Sequence, residues 1–448
     1  MSGVSRAAWG IAVQSLDRRE RLFEMNPGTL LVPASVAKLV TVATAADAVG
    51  WDFRYTTTLR AGGAIVDGAL RGDLLVVGSG DPSIGGRSGD DLSTWAEGLK
   101  GAGVRRIEGR IIGDDDAVEE PRPQLAWAWD DLGYATGALF GALNLAENRT
   151  TVTIAPGPSS GAAASITIEA RLSPRGITNR VVTGPAGSPL LVWPEQRPGE
   201  SSLTVAGSVP AGGVPAVIGI SVGNPTQWFA NALKSRLVRD GIEVTGDAAD
   251  IDDVVPPLLG RDTWPVLFTH RSRPLSEIAQ PLLKESINLY AEALMRLNTA
   301  RDGFPTNDAA LEGLRKRLES WGISNGSYQL VDGSGLSRRD TISPEAVLAV
   351  LTRMADPSGK SPFVTGLPIA GVDGSLAGRM KGTAAAANVK AKSGTMSNIR
   401  SLAGYVTTRD GEHLAFVILI NNFEGTGGNA NDALDAIVVR LASFTRTP

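Results

Sequence analysis

The feature that most constrains the fold is a long central segment, residues 61–260, whose composition differs from that of the sequence on either side. Gly, Pro, Ser and Thr are frequent in it, and short strand-like runs alternate with turns. The flanking parts instead combine strand-like and helical patterns. The sequence therefore predicts one α/β (α+β) domain, built from residues 1–60 together with 261–448 and interrupted by one or two inserted, mainly β domains.

Strand patterns at both ends of the sequence favour a single antiparallel sheet flanked by helices. Residues 8–14 and 21–25 alternate around a turn and predict an opening hairpin. Strands are also expected at 73–77, 107–112, 165–170, 217–222, 389–393, 401–407 and 413–420. Helices are expected at 34–49, 274–284, 287–298 and 308–321, with an amphipathic one at 431–443; Pro281 makes the end of the second uncertain.

Composition excludes several classes of protein. The net charge of −4 is too small to indicate nucleic-acid binding, and no apolar run approaches the ~18 residues of a transmembrane helix. The absence of Cys excludes disulfides, thiolate metal sites and cysteine nucleophiles, and two His residues exclude a multi-histidine metal centre. The first ten residues do not resemble a signal peptide, so either the protein is cytoplasmic or its export signal or anchor is missing from this chain.

Ser35 and Lys38 are the first candidates for chemistry. Three positions apart near the start of a helix, both side chains lie on the same face. A lysine whose pKa is lowered by burial can accept the proton of a serine hydroxyl, and a helix start favours anionic intermediates. The spacing occurs once here, against roughly 0.7 matches expected by chance, so alone it is more typical of an ordinary helix turn with a solvated lysine.

Two further groups of side chains lie later in the sequence. Ser286 and Asn288 flank one apolar residue at a helix start, where serine also serves as an N-cap. Lys392, Ser393, Gly394 and Thr395 end a strand-like run, and about 0.15 such Lys-Ser/Thr-Gly matches are expected by chance. Alternation places Lys392 and Gly394 on one face of the strand and the two hydroxyl residues on the other.

In this order, the three groups resemble the Ser-x-x-Lys, Ser-x-Asn and Lys-Ser/Thr-Gly motifs of penicillin-binding proteins and serine β-lactamases. More narrowly, the sequence resembles the low-molecular-mass class C penicillin-binding proteins, the PBP4-type D-alanyl-D-alanine carboxypeptidases of peptidase family S13. The long interval between the first two motifs fits the extra domains of that type. The segments that carry the resemblance are 33–39, 78–82, 142–144, 285–292, 332–337 and 371–376.

The resemblance implies a penicillin-binding or β-lactamase-like fold and a role for each motif residue. Ser35 would attack the penultimate D-alanine of a peptidoglycan stem peptide, with Lys38 as base. Ser286 would pass a proton to the leaving amine, with Asn288 and Lys392 positioning these groups. Backbone N–H groups of Ser35 and Thr395 would form the oxyanion hole. The Ser393 and Thr395 hydroxyls would hold the terminal carboxylate beside Gly394, without metal or organic cofactor.

Residues 127–134 resemble the part of the inserted region that borders the active site in this family. We hypothesise that Asp130 or Asp131, with Tyr134, Arg338 and Met396, forms a pocket for the third residue of the stem peptide. An acid and an arginine together could bind the ammonium and carboxylate ends of diaminopimelate. A surface turn with buried tryptophans explains the 127–134 segment equally well.

The resemblance also implies the partners and the location. β-Lactams would acylate Ser35 as covalent inhibitors, and the protein would act in the cell envelope, in the periplasm or on the extracellular face. A β-lactamase or esterase on the same scaffold and a non-catalytic peptidoglycan-binding scaffold protein remain as alternatives. The balance between carboxypeptidase and endopeptidase cleavage stays open.

Overall fold

The computed structural model describes residues 3–87, 92–168, 176–197, 200, 202–301, 303–356 and 358–446. It divides into two compact units. The first comprises Met1–Phe53, Gln124–Ala126 and Pro274–Pro448, and the second comprises Arg54–Pro123 and Trp127–Arg273.

The secondary-structure elements of the described residues are numbered along the chain. The strands are β1 (Ala8–Ser15), β2 (Glu20–Met25), β3 (Thr56–Ala61), β4 (Ile65–Val66), β5 (Ala69–Leu70), β6 (Leu74–Val77), β7 (Arg106–Ile107), β8 (Ile111–Asp114), β9 (Arg149–Ala155), β10 (Ser165–Ile168), β11 (Ile177–Gly184), β12 (Leu191–Glu195), β13 (Leu203–Pro210), β14 (Ala216–Ser221), β15 (Glu243–Val244), β16 (Ala248–Asp250), β17 (Val266–Arg271), β18 (Tyr328–Gln329), β19 (Thr341–Ile342), β20 (Lys390–Met396), β21 (Ile399–Thr407) and β22 (His413–Asn421). The α helices are α1 (Ala37–Val49), α2 (Ser93–Gly101), α3 (Pro225–Arg239), α4 (Leu275–Glu285), α5 (Asn288–Arg296), α6 (Asn307–Ser320), α7 (Pro344–Met354), α8 (Pro362–Thr365) and α9 (Gly427–Ala442). Short 3₁₀ helices cover Ala34–Val36, Ala135–Gly137, Ala146–Asn148, Ile251–Asp253, Arg261–Thr263, Asn325–Ser327 and Gly374–Leu376.

The first unit contains an antiparallel sheet with strand order β2-β1-β22-β21-β20. Strands from both ends of the sequence thus form one sheet, as predicted. Apolar residues of α9, among them Leu434 and Val438, pack on the sheet with Leu402 and Phe416. The alanine-rich helix α1 is the central helix and contacts α4, α5, α6 and α7. Small side chains let these helices approach it closely, and residues 37–46 of α1 are all buried.

Among its described residues, the second unit contains several small sheets and three apolar cores, the smallest of which is formed by Leu75, Ile112, Ile251 and Val254. Its largest sheet has the order β16-β8-β6-β3-β17 and is of mixed direction. Helices α2 and α3 contribute Trp95 and Phe229 to one core, while β9, β11, β13 and β14 surround another. Composition predicted an insertion from residue 61 to residue 260. The second unit in the structure begins at Arg54 and ends at Arg273. Strand β3, at the start of the unit, pairs with β17, near its end, so both strands belong to it.

One local expectation is wrong, and the uncertain end of one expected helix is resolved. The run 107–112 is not one strand but two, β7 and β8, which belong to different sheets. A Cβ on Gly109 would lie 2.5 Å from the Gly72 backbone, so the strand pattern is interrupted by a tight crossing between the sheets. Helix α4 also continues past Pro281 to Glu285, because buried Ile278, Leu282 and neighbouring apolar residues hold it against the core. The expected strand 165–170 ends at Ile168, and its last two residues lie outside the described part.

Candidate active site

Ser35 lies at the start of the central helix of the first unit. It belongs to the 3₁₀ turn Ala34–Val36, which leads directly into α1. Ala34, just before it, has a positive φ of 47°, a conformation that costs free energy for a residue with a Cβ. The Lys38 Nζ lies 2.8 Å from the Ser35 Oγ. The expected pairing of the two side chains on one helix face is therefore observed.

Lys38 is fully buried and has three oxygen neighbours. Its Nζ is 2.8 Å from Ser35 Oγ, 2.7 Å from Asn288 Oδ1 and 2.6 Å from the Ser334 carbonyl oxygen. Burial lowers its pKa to about 8, against the opposing effect of nearby carboxylates. A neutral amine has two N–H groups and one lone pair. The amide and carbonyl oxygens can only accept, so they take both N–H groups and leave the lone pair directed at the Ser35 hydroxyl.

Ser286 and Lys392 form a second hydroxyl–amine pair. Ser286 joins α4 to α5 in the left-handed conformation, with φ 64° and ψ 39°. This turn ends α4 and separates it from α5. Lys392 Nζ donates to Ser286 Oγ at 2.9 Å and to the Ser393 carbonyl oxygen at 2.8 Å. Burial and the charge of Lys38 lower the pKa of Lys392 well below its ordinary value.

Strand β20 is the edge strand of the sheet and passes directly beside Ser35. Lys392 and Gly394 are buried, whereas Ser393 is half-buried and Thr395 is exposed, in agreement with the expected alternation. A Cβ on Gly394 would lie 3.0 Å from the Ser35 backbone nitrogen. Glycine is therefore required for the strand to approach the nucleophile this closely. The Ser393 hydroxyl forms a 2.7 Å hydrogen bond with that of Ser375.

Comparisons with known proteins identify the family. Residues 2–443 match the model of the D-Ala-D-Ala carboxypeptidase 3 (S13) family. The chain belongs to the S13 family. The D-alanyl-D-alanine carboxypeptidase of Actinomadura sp. (strain R39) is 33% identical to the S13 chain over 98% of this chain and 82% of that protein. The DacB carboxypeptidase of Haemophilus influenzae is 27% identical over 92% of this chain and 85% of that one.

Solved structures agree with this assignment at the level of the fold. Penicillin-binding protein 4 of H. influenzae superposes with a TM-score of 0.85 at 24% identity, over 98% of this chain and 97% of that one. The Bdellovibrio bacteriovorus endopeptidase Bd3459 gives a TM-score of 0.52 at 15% identity, over 97% and 92%. The predicted family, fold class and enzyme class, a serine-type D-Ala-D-Ala carboxypeptidase, are confirmed. Among the described residues, no helix is long and apolar enough to cross a bilayer.

The sequence analysis assigned no role to three buried carboxylates near Lys38 in the S13 chain. Glu292, Asp332 and Asp340 are at most 1% exposed, and all three act electrostatically on Lys38. Glu292 follows Asn288 by one helical turn on α5. Because acidic residues are mostly exposed, only the i, i+4 spacing from Asn288 could have indicated that this one faces the site.

The residues of the hypothetical third-residue pocket are divided between the two units. Asp130, Asp131 and Tyr134 belong to the second unit, where the two acids and partial burial raise the pKa of Tyr134. Arg338 and Met396 belong to the first unit, and Arg338 donates to the Ser397 carbonyl oxygen at 3.3 Å. The pocket therefore stays a prediction.

Carboxylates that could hold a metal ion lie in the second unit. Among the described residues, Asp115, Asp116 and Glu120 offer oxygen atoms within 4.8 Å of one another. Arg261 forms ion pairs with Asp116 and with neighbouring Asp114, so part of the local negative charge is already neutralised. The reaction proposed below needs no metal at this cluster.

Proposed function

We propose that this S13 carboxypeptidase removes the terminal D-alanine of peptidoglycan stem peptides through an acyl-enzyme on Ser35. The observation that carries this assignment of roles is the set of oxygen atoms around Lys38. Two of them occupy the N–H groups of the neutral amine and direct its lone pair at the nucleophile. Arginine could not act in this way, since its guanidinium stays protonated.

In the acylation step, the Ser35 Oγ attacks the carbonyl carbon of the penultimate D-alanine while its proton moves to Lys38 Nζ. The backbone N–H groups of Ser35 and Thr395 are proposed to stabilise the oxyanion, at about 3 kcal/mol per donor. The approach of Gly394 to the Ser35 nitrogen supports this pairing, because it brings the two backbone segments together.

When the tetrahedral intermediate collapses, the peptide C–N bond breaks and the amine of the terminal D-alanine needs a proton. Ser286 is proposed to donate it, because its hydroxyl accepts a hydrogen bond from Lys392 and can be reprotonated from that side. The proton that Lys38 took from Ser35 is proposed to replace the one given up by the Ser286–Lys392 pair, which returns Lys38 to its neutral form. As water attacks the ester carbonyl, its proton passes to Lys38 and then to the Ser35 Oγ, whose bond to the acyl carbon breaks. Both lysines sit in a buried environment, where proton transfer needs no rearrangement of solvent.

The substrate's terminal carboxylate is proposed to bind the Ser393 and Thr395 hydroxyls next to the two lysines. The exposed Thr395 and the half-buried Ser393 can both be reached from solvent. β-Lactams carry a similar carboxylate beside a strained amide and would acylate the same serine. One solved structure of H. influenzae penicillin-binding protein 4 is a complex with a β-lactam. The inferred place of action is the cell envelope, where stem peptides are found.

The deciding experiment is intact-mass spectrometry after incubation with benzylpenicillin, with peptide mapping of the adduct. We expect one adduct on Ser35, none in Ser35→Ala, and an unchanged adduct in the control Ser320→Ala, since Ser320 is an exposed residue of α6. D-Alanine release from a D-Ala-D-Ala peptide should follow the same order. Rapid turnover of benzylpenicillin would favour the β-lactamase alternative, and no adduct would favour the non-catalytic scaffold.

A second experiment concerns the third-residue pocket. If Arg338 binds the carboxylate of diaminopimelate, Arg338→Ala should reduce turnover of diaminopimelate-containing peptides more than that of lysine-containing ones. Equal losses for both peptides would remove the hypothesis, while leaving the acylation chemistry untouched.

A further inference from the structure

The turn that supplies the third oxygen to Lys38 is held by a buried carboxylate. Residues 333–337 follow Asp332, and the Ser334 carbonyl oxygen of this turn lies 2.6 Å from Lys38 Nζ. We propose that Asp332 is a positioning residue for the catalytic base: by fixing this turn, it orients the Lys38 lone pair toward Ser35. The inference rests on the proposed roles of these two residues.

Asp332 is tied to the turn by three hydrogen bonds. Its Oδ1 accepts the N–H groups of Ser334 at 3.0 Å and Gly335 at 2.6 Å, and its Oδ2 accepts that of Ser337 at 2.8 Å. Charge-assisted bonds to a carboxylate that is 1% exposed are strong, because water cannot compete for the N–H groups. The turn is therefore held in one conformation.

The turn is also fixed against the nucleophile helix. Thr41, one helical turn after Lys38, donates its hydroxyl to the Gly333 carbonyl oxygen at 2.6 Å. On the other side, a Cβ on Gly335 would lie only 2.0 Å from the carbonyl oxygen of Ala34, the residue before Ser35. Any movement of the turn thus changes the position of the Ser334 carbonyl relative to both Lys38 and Ser35.

The negative charge of Asp332 has a second effect on Lys38: it disfavours the neutral amine, whereas the turn that Asp332 holds makes the neutral amine more effective. The charged groups that act on Lys38 are the carboxylates Asp332, Glu292 and Asp340. Lys38 in turn acts on the neighbouring Lys392, and Arg296 faces Glu292 with 3.9 Å between the charged atoms. Asp332 is the carboxylate that raises the Lys38 pKa most. Removing its charge therefore makes Lys38 easier to deprotonate, whereas releasing the turn makes the neutral amine less effective.

These opposite effects can be separated by the pH profile of acylation in Asp332→Asn. We expect the limiting acylation rate with benzylpenicillin to fall at least tenfold, because the lone pair is no longer directed at Ser35. The acidic limb of the profile should move to lower pH, and the dissociation constant of the initial complex should change little. A merely structural residue would lower the amount of folded enzyme without moving the limb.

Asp356→Asn is the matched control. Asp356 also holds a turn of the first unit, by accepting the N–H groups of Ser358, Lys360 and Ser361. Its loss should leave both the limiting rate and the pH profile unchanged. Thr41→Val is the second variant: it releases the turn at Gly333 without removing a charge, so the limiting rate should fall while the acidic limb stays in place.

The outcomes are distinct. The inference is wrong if folded Asp332→Asn keeps the wild-type limiting rate. It is also wrong if Asp356→Asn lowers the limiting rate as much as Asp332→Asn does. If Asp332→Asn does not fold, Thr41→Val decides: an unchanged rate overturns the role of the turn, and a reduced rate with an unmoved limb supports it. Failure of the wild-type enzyme to form the Ser35 adduct would instead overturn the proposed function.

Discussion

Replacing Gly394 with alanine should both slow acylation and destabilise the first unit. The new Cβ would lie 2.1 Å from the Ser401 Oγ and 2.6 Å from the Pro33 carbonyl oxygen. These two atoms are joined by a 2.6 Å hydrogen bond, so neither can move without breaking it. Overpacking costs about 1–3 kcal/mol and an unsatisfied buried carbonyl a similar amount, so we expect a total of about 2–6 kcal/mol.

The effect on rate follows from the third contact, 3.0 Å from the Ser35 nitrogen. Displacing this oxyanion donor by ~1 Å should lower the acylation rate about 100-fold. The assay combines urea unfolding with the rate of benzylpenicillin acylation. Gly378→Ala is the control, because a Cβ at that position has no atom within 4 Å. Combining Ser401→Ala with Gly394→Ala should recover part of the lost stability, because it removes the Oγ that the new Cβ would contact. Wild-type stability and rate in Gly394→Ala would refute the reasoning.

Three further predictions concern pH and backbone conformation. Acylation by benzylpenicillin should rise with pH, reach half of its limit near pH 8, where half of Lys38 is neutral, and level off above that; a rate independent of pH between 6 and 9 would exclude Lys38 as base. Ser286→Gly should unfold at a higher temperature than Ser286→Ala, since glycine adopts the left-handed conformation without strain, yet both should lose peptide turnover. Burial raises the pKa of Asp115 to about 7, so stability should fall as pH rises from about 4 to 7; Asp115→Asn should flatten the dependence of melting temperature on pH in this interval.

The sequence predicted the parts of the fold that local patterns encode. Strand β22 is a continuous apolar run, as expected for a buried central strand, and the hairpin between β21 and β22 carries the Asp-Gly turn at Asp410. Local patterns could not predict the bounds of the second unit. Strands β3 and β17 belong to this unit because they pair with each other, and a pairing between segments far apart in sequence leaves no local pattern. Composition changes gradually there and gives no sharp boundary.

The sequence predicted the site residues that belong to short motifs. It did not predict the residues whose role depends on burial and on contacts with distant segments. Ser35 with Lys38 and Ser286 with Lys392 come together as the motifs imply. Asp332 was noticed only as part of a family-like segment, since burial of a carboxylate under a lysine depends on three segments far apart in sequence. Alternation placed Gly394 on the same strand face as Lys392, but its neighbours Pro33 and Ser401 could be identified only from the structure.

The pairing of β1 with β22 has a consequence for how the polypeptide matures. The first strand finds its sheet neighbour about 400 residues later, so during synthesis the N-terminal hairpin has no permanent partner on that side. At about 5–20 residues per second, translation of the intervening chain takes roughly 20–80 s. Ser35 is translated early and Lys392 late, so the residues of the proposed site can come together only after β20 has been synthesised.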